Sequence, residues 1–231
     1  MKPKNNRIIG IIGGMGPMAG VLLQNLIIEA TPAKTDQDHF RVICFTNPAI
    51  PDRTQSLQSD NGKSYVTAIR ETARALIHAG ATLLVIPCNT AHSRLKEIKQ
   101  GLDTPFVNIV ETAIQEVVRR YGPARKIGLL ATDATITNGI YQSAGKAFNF
   151  EFLIPAPSDQ KEITRVIYDT KQGIYALTEL LPIINRLVEQ NAEIIILGCT
   201  ELSLYYSEIS QINRPVICPL RAIAHVLTRN K

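Results

Sequence analysis

Two of the four cysteines stand at equivalent places in two similar stretches of the chain. Residues 80–90, GATLLVIPCNT, align without gaps on residues 191–201, NAEIIILGCTE, so that Cys88 corresponds to Cys199. Each cysteine ends a short apolar run and precedes a segment that is expected to be helical. Main-chain amides and the positive end of a helix dipole stabilise a thiolate and lower a thiol pKa that is about 8.5 when free. The placement of both residues therefore favours thiols that exchange protons near neutral pH.

Two matched thiols permit a specific kind of chemistry. A lone cysteine in an apolar run is usually a small buried hydrophobic residue, but a pair can serve as base and acid on opposite faces of one carbon acid. One thiolate removes an α-proton, the other thiol returns one, and the stereocentre inverts. The negative charge that develops on the substrate carboxylate needs hydrogen-bond donors, which Asn89, Thr90 and Thr200 supply. Asn89 or Thr90 is equally suited to capping a helix that begins near Ala91.

The apolar runs predict strands that alternate with helices. Candidate strands are Ile8–Ile12, Arg41–Phe45, Leu83–Ile86, Phe106–Val110, Ile127–Leu130, Ile194–Leu197 and Val216–Ile217. Because these runs are continuous rather than alternating, we expect strands that are covered on both faces. Helical periodicity marks Ser64–Ala79, Ile109–Arg120 and Glu162–Glu189, the last interrupted near Gly173 and Pro182. This order predicts an α/β fold with parallel sheets, in which ligands bind beyond the carboxyl ends of the strands.

The duplication extends beyond the cysteine segments and predicts two similar lobes. A proline followed by an apolar strand recurs as Pro105-Phe-Val-Asn and Pro215-Val-Ile-Cys, and the opening strand recurs more weakly from Arg7 and from Arg125. We expect two flavodoxin-like, three-layer α/β/α lobes related by pseudo-twofold symmetry. Residues 1–104 plus 215–231 would form the N-terminal lobe and residues 105–214 the C-terminal lobe. The final strand and helix would return to the first lobe, and the active site would lie between the lobes.

Composition excludes several classes of protein. Hydrophobic residues make up 45% and charged residues 19% of the 231 positions, which is ordinary globular usage. We expect no signal peptide, because the apolar run after the polar residues 1–6 is too short and wrongly flanked. Nowhere do about 18 apolar residues run together, so we expect a cytoplasmic protein without membrane contact. The cysteines lack the C-x-x-C pairs of zinc or dithiol sites. The net charge of +5 fits an anionic ligand or a nucleic acid, and because the basic residues are dispersed rather than clustered, charge alone does not decide between them. We expect a small acidic amino-acid substrate and no nucleic acid.

Four motifs together resemble the aspartate racemases of the Asp/Glu racemase superfamily. These motifs are Pro-Cys-Asn-Thr-Ala-His at Cys88, Gly-Cys-Thr-Glu at Cys199, Gly13-Gly-Met-Gly-Pro, and Asn47-Pro-Ala-Ile-Pro-Asp-Arg-Thr, and the similarity spans nearly the whole chain. The resemblance implies a homodimeric isomerase of D-amino-acid metabolism that uses neither pyridoxal phosphate nor a metal. It assigns the two proton transfers on aspartate to Cys88 and Cys199.

The resemblance also implies which residues bind the substrate. An arginine in the Pro-Asp-Arg-Thr segment, here Arg53 with its neighbours Asp52 and Thr54, holds the distal carboxylate in this family. A lysine of the second half corresponds to Lys171 if one residue is deleted between Tyr168 and Gly173. Met15 and Thr132 resemble further pocket positions of the family, and the predicted substrate-binding set also includes Asn89, Thr90, Ala91, Thr200 and Glu201. A planar guanidinium and an ammonium together would select a dicarboxylic amino acid.

Two departures separate the chain from glutamate racemases, which carry Asp-Ser in the first glycine-rich loop and Gly-Cys-Thr-His in the second motif. Here those places hold Gly14-Met15 and Glu201. The auxiliary acid and imidazole of that branch are therefore missing, and Glu201 is left as a helper near Cys199. His92 follows Cys88 by four residues, where it either tunes the thiol or packs as an ordinary helix histidine.

Other functions fit the sequence less well. Gly14-Met-Gly-Pro-Met-Ala matches the dinucleotide pattern G-x-G-x-x-A, but the acidic residue that should follow the second strand is poorly placed. A non-catalytic amino-acid-binding protein with two lobes leaves the matched thiols unexplained. Zinc ligation by Cys88, His92 and Cys199 has no familiar spacing. Within the superfamily, a broad-specificity or glutamate-active racemase is the main alternative, and decarboxylases keep only one catalytic cysteine.

Overall fold

The structure of the protein is a computed structural model that describes residues 7–123 and 125–229. The chain forms two compact units, which are residues 1–109 with 220–231 (unit 1) and residues 110–219 (unit 2). Each unit contains one four-stranded sheet in which all neighbouring strands are parallel. Every sheet strand is linked to the next through helices, as parallel pairing requires.

Unit 1 begins with a buried central strand and surrounds it with helices. Its elements are β1 (Ile8–Gly13), α1 (Pro17–Ala30), β2 (Arg41–Thr46), α2 (Arg53–Asp60), α3 (Lys63–His78), β3 (Leu83–Val85), α4 (Leu95–Lys99), β4 (Phe106–Val107) and α11 (Pro219–Thr228). In α3 the buried side chains Tyr65, Ile69, Ala73 and Leu76 recur at helical spacing, so this helix covers the sheet with one apolar face.

Unit 2 repeats the same plan with shorter helices after its first strand. Its elements are α5 (Ile109–Tyr121), β5 (Lys126–Leu130), α6 (Asp133–Thr137), α7 (Ile140–Gly145), β6 (Glu151–Leu153), α8 (Pro157–Lys171), α9 (Leu177–Glu189), β7 (Ile194–Leu197), α10 (Tyr206–Ile209) and β8 (Val216–Ile217). All four side chains of β7 are buried, as expected for a strand that is covered on both faces.

The two sheets have the same topology. The strand orders are β2-β1-β3-β4 and β6-β5-β7-β8, which is the flavodoxin-like arrangement with the first strand of each half in the interior. The duplication is visible in packing as well. A Cβ atom on Gly10 would lie 2.7 Å from Leu84, and one on Gly128 would lie 2.7 Å from Ile195. The predicted α/β class with two similar parallel-sheet lobes is confirmed.

The prediction that the final strand returns to the first lobe is wrong. β4 pairs with β3 through Leu84↔Phe106, and β8 pairs with β7 through Ile195↔Val216, so each short strand stays in the sheet of its own half. The chain changes unit only in the helix after each strand, between Ile109 and Val110 and between Pro219 and Leu220. The expected boundaries at 104 and 214 are therefore a few residues too early, because the last strand completes the sheet of the half in which it begins.

Several predicted element bounds also change. The run Phe106–Val110 contributes only two residues to a strand, because Ile109 already begins α5. β6 (Glu151–Leu153) has three residues and is not among the strands predicted from the sequence. β2 lies at a sheet edge and is partly exposed rather than covered on both faces. Pro182 lies inside α9 and does not end it.

Across residues 7–123 and 125–229, none of the helices combines the length and the apolar character that crossing a bilayer requires.

Candidate active site

In unit 1, the predicted site residues follow the carboxyl ends of three neighbouring strands. Met15 comes after β1, Arg53 after β2 and Cys88 after β3. Since these strands are parallel and adjacent, their carboxyl ends lie at one edge of the sheet, where α/β proteins bind ligands. The turn Thr90–Arg94 also packs against α2, which begins at Arg53. The fold therefore places at one edge of the sheet segments that are up to 73 residues apart in sequence, from Met15 to Cys88.

Cys88 lies in an apolar environment at this edge. Only 6% of it is exposed, and it belongs to a buried cluster that includes Met15, Tyr65 and Ala91. The chain continues as a 3-10 helix at Thr90–Arg94, and Asn89 precedes it without a capping hydrogen bond from its side chain. The expected cap by Asn89 is therefore wrong. A five-residue 3-10 helix also has a smaller dipole than a long α-helix.

His92 holds the Cys88 segment to the start of the next helix. Its Nδ1 lies 2.9 Å from the carbonyl oxygen of Cys88, and the main-chain N–H of Ile109 donates to its Nε2 at 3.4 Å. The imidazole is buried, and burial lowers its pKa to about 4, against a smaller opposing effect of the hydrogen bond to the Cys88 carbonyl. His92 is therefore neutral near pH 7, with Nδ1 as donor and Nε2 as acceptor.

The Arg53 segment is fixed by hydrogen bonds to main-chain groups. The carboxylate of Asp52 caps α2 by accepting from the amides of Thr54 and Gln55 at 2.9 and 3.1 Å. Arg53 is 7% exposed, and its Nη1 donates to the carbonyl oxygen of Pro51 at 2.9 Å. The guanidinium is therefore held at the start of α2, whereas Asp52 has a clear structural role.

The glycine-rich loop after β1 packs closely against the loop that contains Asn47. Gly14 has a φ of +102°, and a Cβ atom there would lie 2.2 Å from the carbonyl oxygen of Asn47. The amide of Asn47 donates to Gly13, and its side chain donates to Thr72 at 2.9 Å. Another loop therefore makes the close approach at Gly14, which explains the glycine at this position. The sheet order also departs from that of the dinucleotide fold.

In unit 2, Cys199 and Glu201 form a buried hydrogen-bonded pair. The Cys199 thiol donates to Oε2 of Glu201 at 2.9 Å, and the hydroxyl of Thr200 donates to the same oxygen at 3.4 Å. Cys199 is 7% exposed and Glu201 is 6% exposed. Since Cys199 follows β7 as Cys88 follows β3, the two thiols occupy the same topological position in the two units.

The Lys171 segment lies next to the helical turn that follows Cys199. Thr170 shares a 2.6 Å hydrogen bond with the hydroxyl of Tyr205, and the amide of Ala176 donates to the same hydroxyl at 3.2 Å. Tyr205 ends the 3-10 helix Leu202–Tyr205. Lys171 is half-buried, with Nζ 4.3 Å from the centre of the Tyr168 ring. Lys171, the residue that the alignment with one deletion selects, therefore lies in a segment that is hydrogen-bonded to the helical turn after Cys199.

Thr132 is the second residue after β5 and begins the next helix. It caps α6, because its hydroxyl accepts from the amide of Thr135 at 3.2 Å. Its buried position at the carboxyl edge of the second sheet matches that of Met15 in the first. This cap holds the loop between β5 and α6 in place and explains why position 132 is a threonine.

Two buried tyrosines lie near the thiols, although no motif in the sequence marks them. Tyr65 lies close enough to Cys88, and Tyr141 close enough to Cys218 and Cys199, for the thiols to affect their ionisation. Burial is the main cause that raises the pKa of Tyr65 to about 12 and that of Tyr141 well above its usual value. Both phenols therefore stay neutral. A tyrosine in an apolar helix gives no signal in the sequence that it lies near a thiol.

The arrangement supplies proton-exchanging groups but no familiar metal site. Among the residues that the structure describes, no three His, Cys, Asp or Glu side chains gather in a way that would hold an ion. His92 uses both ring nitrogens on main-chain groups, which does not suit the zinc alternative. What remains is a thiol at the same strand exit of each unit, with hydroxyl, amide and cationic groups on the neighbouring segments.

Comparisons with known proteins agree with this geometry. The profile of the Asp/Glu/hydantoin racemase family matches residues 12–227. The aspartate racemase of Picrophilus torridus superposes with a TM-score of 0.82 at 32% identity, covering 97% of this chain and 96% of that one. A broad-specificity amino-acid racemase of Bacillus subtilis is 30% identical over 216 residues, 91% of this chain and 92% of that protein. A glutamate racemase of Corynebacterium diphtheriae is 26% identical over 215 residues, 87% of this chain and 71% of that protein.

Proposed function

The chain belongs to the Asp/Glu/hydantoin racemase family, and from that premise we propose that it interconverts L- and D-aspartate through two thiols, Cys88 and Cys199. The observation that carries the proposal is the equivalence of the two cysteines, each at the exit of the strand beside the first strand of its half. The reaction needs a base on one face of the α-carbon and an acid on the other, and a thiolate and a thiol can fill these two roles.

The proton moves in two steps. One cysteine, as thiolate, takes the α-proton, so that the α C–H bond breaks and its electron pair passes into the substrate carboxylate. The other cysteine, as thiol, delivers its proton to the opposite face of the carbon and is left as thiolate. The enzyme therefore finishes each turnover with the charges of its two thiols exchanged. The proposal requires both sulfur atoms to reach the same carbon.

The developing enolate-like carboxylate must be stabilised, because an α-proton beside a carboxylate is only weakly acidic. We assign this task to the amide and hydroxyl groups of Asn89, Thr90 and Thr200, which directly follow the thiols in sequence and are all buried. Asn89 and Thr90 stand at the start of the 3-10 helix that follows Cys88, and Thr200 lies just before the one that follows Cys199. Donors in a buried site of this kind act more strongly than they do in water.

Arg53 and Lys171 are the proposed ligands of the distal carboxylate. The bond from Arg53 to Pro51 fixes the guanidinium plane, which suits bidentate recognition of a carboxylate. Lys171 is held against Tyr168 at the end of α8. Met15, Asp52, Thr54, Ala91, Thr132 and Glu201 remain predicted pocket positions, although Asp52 and Thr132 also cap helices and Met15 and Ala91 also belong to the buried cluster.

Incubation with L-aspartate in heavy water tests the proposal. The purified protein, under reducing conditions and with no added cofactor, should destroy the optical rotation and place deuterium at the α-carbon of the product. Cys88→Ser and Cys199→Ser keep the side-chain volume but lose the acidity of the thiol, so each should slow racemisation by about 10³-fold or more. An absence of α-deuterium in every acidic amino acid tested would overturn the assignment.

Cys44 provides the matched control. It is half-buried on β2, and burial raises the pKa of its thiol, against a smaller lowering effect of its contact with Thr46. Cys44→Ser should therefore leave racemisation within about threefold of the wild type. A loss comparable with that of Cys88→Ser would mean that any cysteine replacement inactivates the protein, and the two-thiol assignment would lose its support.

A broader substrate range is the second candidate. The relative from Bacillus subtilis that covers 91% of this chain is named a broad-specificity racemase, and a glutamate racemase is also among the relatives. Comparing kcat/KM for aspartate, glutamate and alanine decides between the candidates. A preference for aspartate of tenfold or less over alanine, about 1.4 kcal/mol, would favour broad specificity.

We also propose that the protein works as a homodimer. On α1 the side chains of Met18, Val21 and Ile28 are 51%, 42% and 56% exposed and lie along one stripe, and Phe45 on the adjacent part of unit 1 is 43% exposed. Such apolar exposure is a candidate surface for a second copy of the chain. Light scattering should give the mass of a dimer for the wild type and of a monomer for Ile28→Glu, whereas a monomeric wild type would contradict the proposal.

A further inference from the structure

In each unit, the last residue of the 3-10 helix after the cysteine bonds a neighbouring segment. Arg94 and Tyr205 both end that helix, six residues after the cysteine. Arg94 donates through Nε to the carbonyl oxygen of Asn61 at 3.1 Å, and Asn61 is the C-cap of α2, the helix that begins at Arg53. The hydroxyl of Tyr205 bonds Thr170 at the end of α8. Each contact therefore links a cysteine segment to a helix that carries a proposed ligand of the distal carboxylate.

The hydrogen bonds around Tyr205 have a single consistent direction. The hydroxyl of Thr170 donates to the carbonyl oxygen of Val166 at 2.7 Å, so it has no second hydrogen to give. Across the 2.6 Å contact, Tyr205 is therefore the donor and Thr170 the acceptor. The phenol oxygen in turn accepts from the amide of Ala176 at 3.2 Å. A chain of three hydrogen bonds thus runs from Ala176 through Tyr205 and Thr170 into α8.

This chain of hydrogen bonds closes the short loop that contains Lys171. Thr170 and Ala176 stand directly before and after residues 171–175, and both are buried, as Tyr205 is. Lys171 is half-buried, whereas the other four residues of the loop are exposed. Hydrogen bonds are stronger in a buried place than in water. Tyr205 therefore holds both ends of a loop that is mostly exposed to solvent.

We propose that Tyr205 is a positioning residue, which holds Lys171 where its ammonium can bind the distal carboxylate of the substrate. Tyr205 acts through the loop and transfers no proton. A lysine ammonium is a point charge on a flexible stem, so its contribution to binding is larger when the segment that carries it is already ordered. This inference rests on the proposed racemase function and makes the buried phenol a determinant of the preference for a dicarboxylic amino acid.

Replacing Tyr205 by phenylalanine removes the hydroxyl and keeps the ring. The amide of Ala176 then loses its acceptor in a buried place, which frees that end of the loop. In Tyr205→Phe, KM for aspartate should rise by about tenfold or more and kcat should change by less than about threefold, because a ligand of the distal carboxylate binds substrate and transition state alike. An unchanged KM in a variant that racemises aspartate would overturn the inference.

Two variants of Thr170 test the same chain of hydrogen bonds from its other end. Thr170→Val keeps the shape of the side chain but offers no oxygen to the hydroxyl of Tyr205, so KM for aspartate should rise. Thr170→Ser restores the oxygen, and its KM should be lower than that of Thr170→Val by about threefold or more. Equal KM values for the two variants would contradict a role for this hydrogen bond.

A double-mutant cycle tests whether Tyr205 acts through Lys171. Lys171→Met keeps much of the side-chain length and removes the charge, so KM for aspartate should rise. If Tyr205 only positions Lys171, adding Tyr205→Phe to Lys171→Met should change KM by less than about twofold. A further rise of about tenfold in the double variant would show a general structural role of Tyr205 and would reject the inference.

Hydrogen exchange of the Ala176 amide, followed by nuclear magnetic resonance, gives a readout that does not depend on turnover. The exchange should be faster by about tenfold or more in Tyr205→Phe than in the wild type, because the amide has lost its acceptor. An unchanged exchange rate would contradict the hydrogen bond on which the inference depends.

Tyr175 provides the matched control. Its ring meets that of Tyr205 edge-on, with the centroids 6.0 Å apart, and the residue is 61% exposed. Tyr175→Phe keeps this ring contact, so KM and the exchange of the Ala176 amide should stay within about twofold of the wild type. If the wild type exchanges no α-hydrogen with any amino acid, the proposed function fails and the role of Tyr205 with it. If the wild type racemises aspartate and Tyr205→Phe leaves KM unchanged, only the role of Tyr205 fails.

Discussion

Replacing His92 by phenylalanine tests the view that this residue is a neutral structural link rather than a proton carrier. Phenylalanine has a ring of similar size, but it offers no group to the carbonyl of Cys88 or to the amide of Ile109, which now contact Nδ1 at 2.9 Å and Nε2 at 3.4 Å. His92 is only 8% exposed. Water therefore has little access to the two main-chain groups that lose their partner.

The size of the effect follows from these two contacts. A buried polar group that loses its partner costs about 1–3 kcal/mol, and the longer bond to Ile109 belongs at the lower end of that range. His92→Phe should therefore lower the free energy of unfolding by about 2–4 kcal/mol at pH 7. His92→Asn keeps an N–H donor near the position of Nδ1, so it should retain the bond to Cys88 and lose about half as much.

The pH dependence gives the sharper test. Burial lowers the pKa of His92 to about 4 in the folded state, below the value near 6.5 expected for the unfolded chain. The unfolded state then binds more protons as the pH falls below about 6.5, and stability that is present above that pH is lost progressively down to about pH 4. Between about pH 7 and pH 5 this linkage amounts to about 2 kcal/mol. The deficit of His92→Phe should shrink by that amount over the same interval.

Urea unfolding at both pH values measures these quantities. The control is His78→Ala, because His78 is exposed in the last turn of α3 and its replacement should change the free energy of unfolding by less than about 0.5 kcal/mol. Parallel pH profiles for the wild type and His92→Phe would show that His92 titrates normally in the folded protein, and the reasoning from its burial would be refuted.

Three further outcomes are expected. Gly14→Ala should cost more than about 3 kcal/mol of unfolding free energy, because its Cβ would lie 2.2 Å from Asn47. Gly101 is also at positive φ but has nothing within 4 Å, so Gly101→Ala should cost only about 1 kcal/mol. Similar losses for the two variants would contradict the close approach at Gly14. Asp52→Ala should cost about 1–2 kcal/mol through loss of the α2 cap and Asp52→Asn much less, as chemical denaturation can measure. Arg53→Lys should raise KM for aspartate by about tenfold or more with a smaller change in kcat, and an unchanged KM would remove Arg53 from the site.

The fold class follows from the sequence for a clear reason. Continuous apolar runs such as Ile194–Leu197 read as buried strands because parallel sheets are covered on both faces, and the structure buries that strand completely. The helical spacing of Ser64–Ala79 matches α3 to within one residue at each end. The repeat around Cys88 and Cys199 predicts two units of like topology, which the two strand orders confirm.

Very short strands are hard to predict from the sequence, because two residues give almost no side-chain pattern and their pairing depends on main-chain groups. Phe106 and Val107 contribute only two residues to a strand, and Val216 and Ile217 likewise. Which sheet such a strand joins depends on which edge presents unpaired main-chain groups, and that edge exists only in the folded protein. The side-chain pattern carries no information about this edge, and for that reason the sequence does not show that the final strand pairs with β7.

The sequence by itself singled out the candidate catalytic residues, since the duplicated segments mark Cys88 and Cys199 by their positions alone. It could not determine what each side chain meets. Only the tertiary structure decided that His92 contacts main-chain atoms, that Gly14 makes room for Asn47, and that Glu201 bonds the thiol of Cys199. The physical reason is that hydrogen bonds and desolvation depend on distances of a few ångströms between groups, and those distances are set by packing across the whole unit.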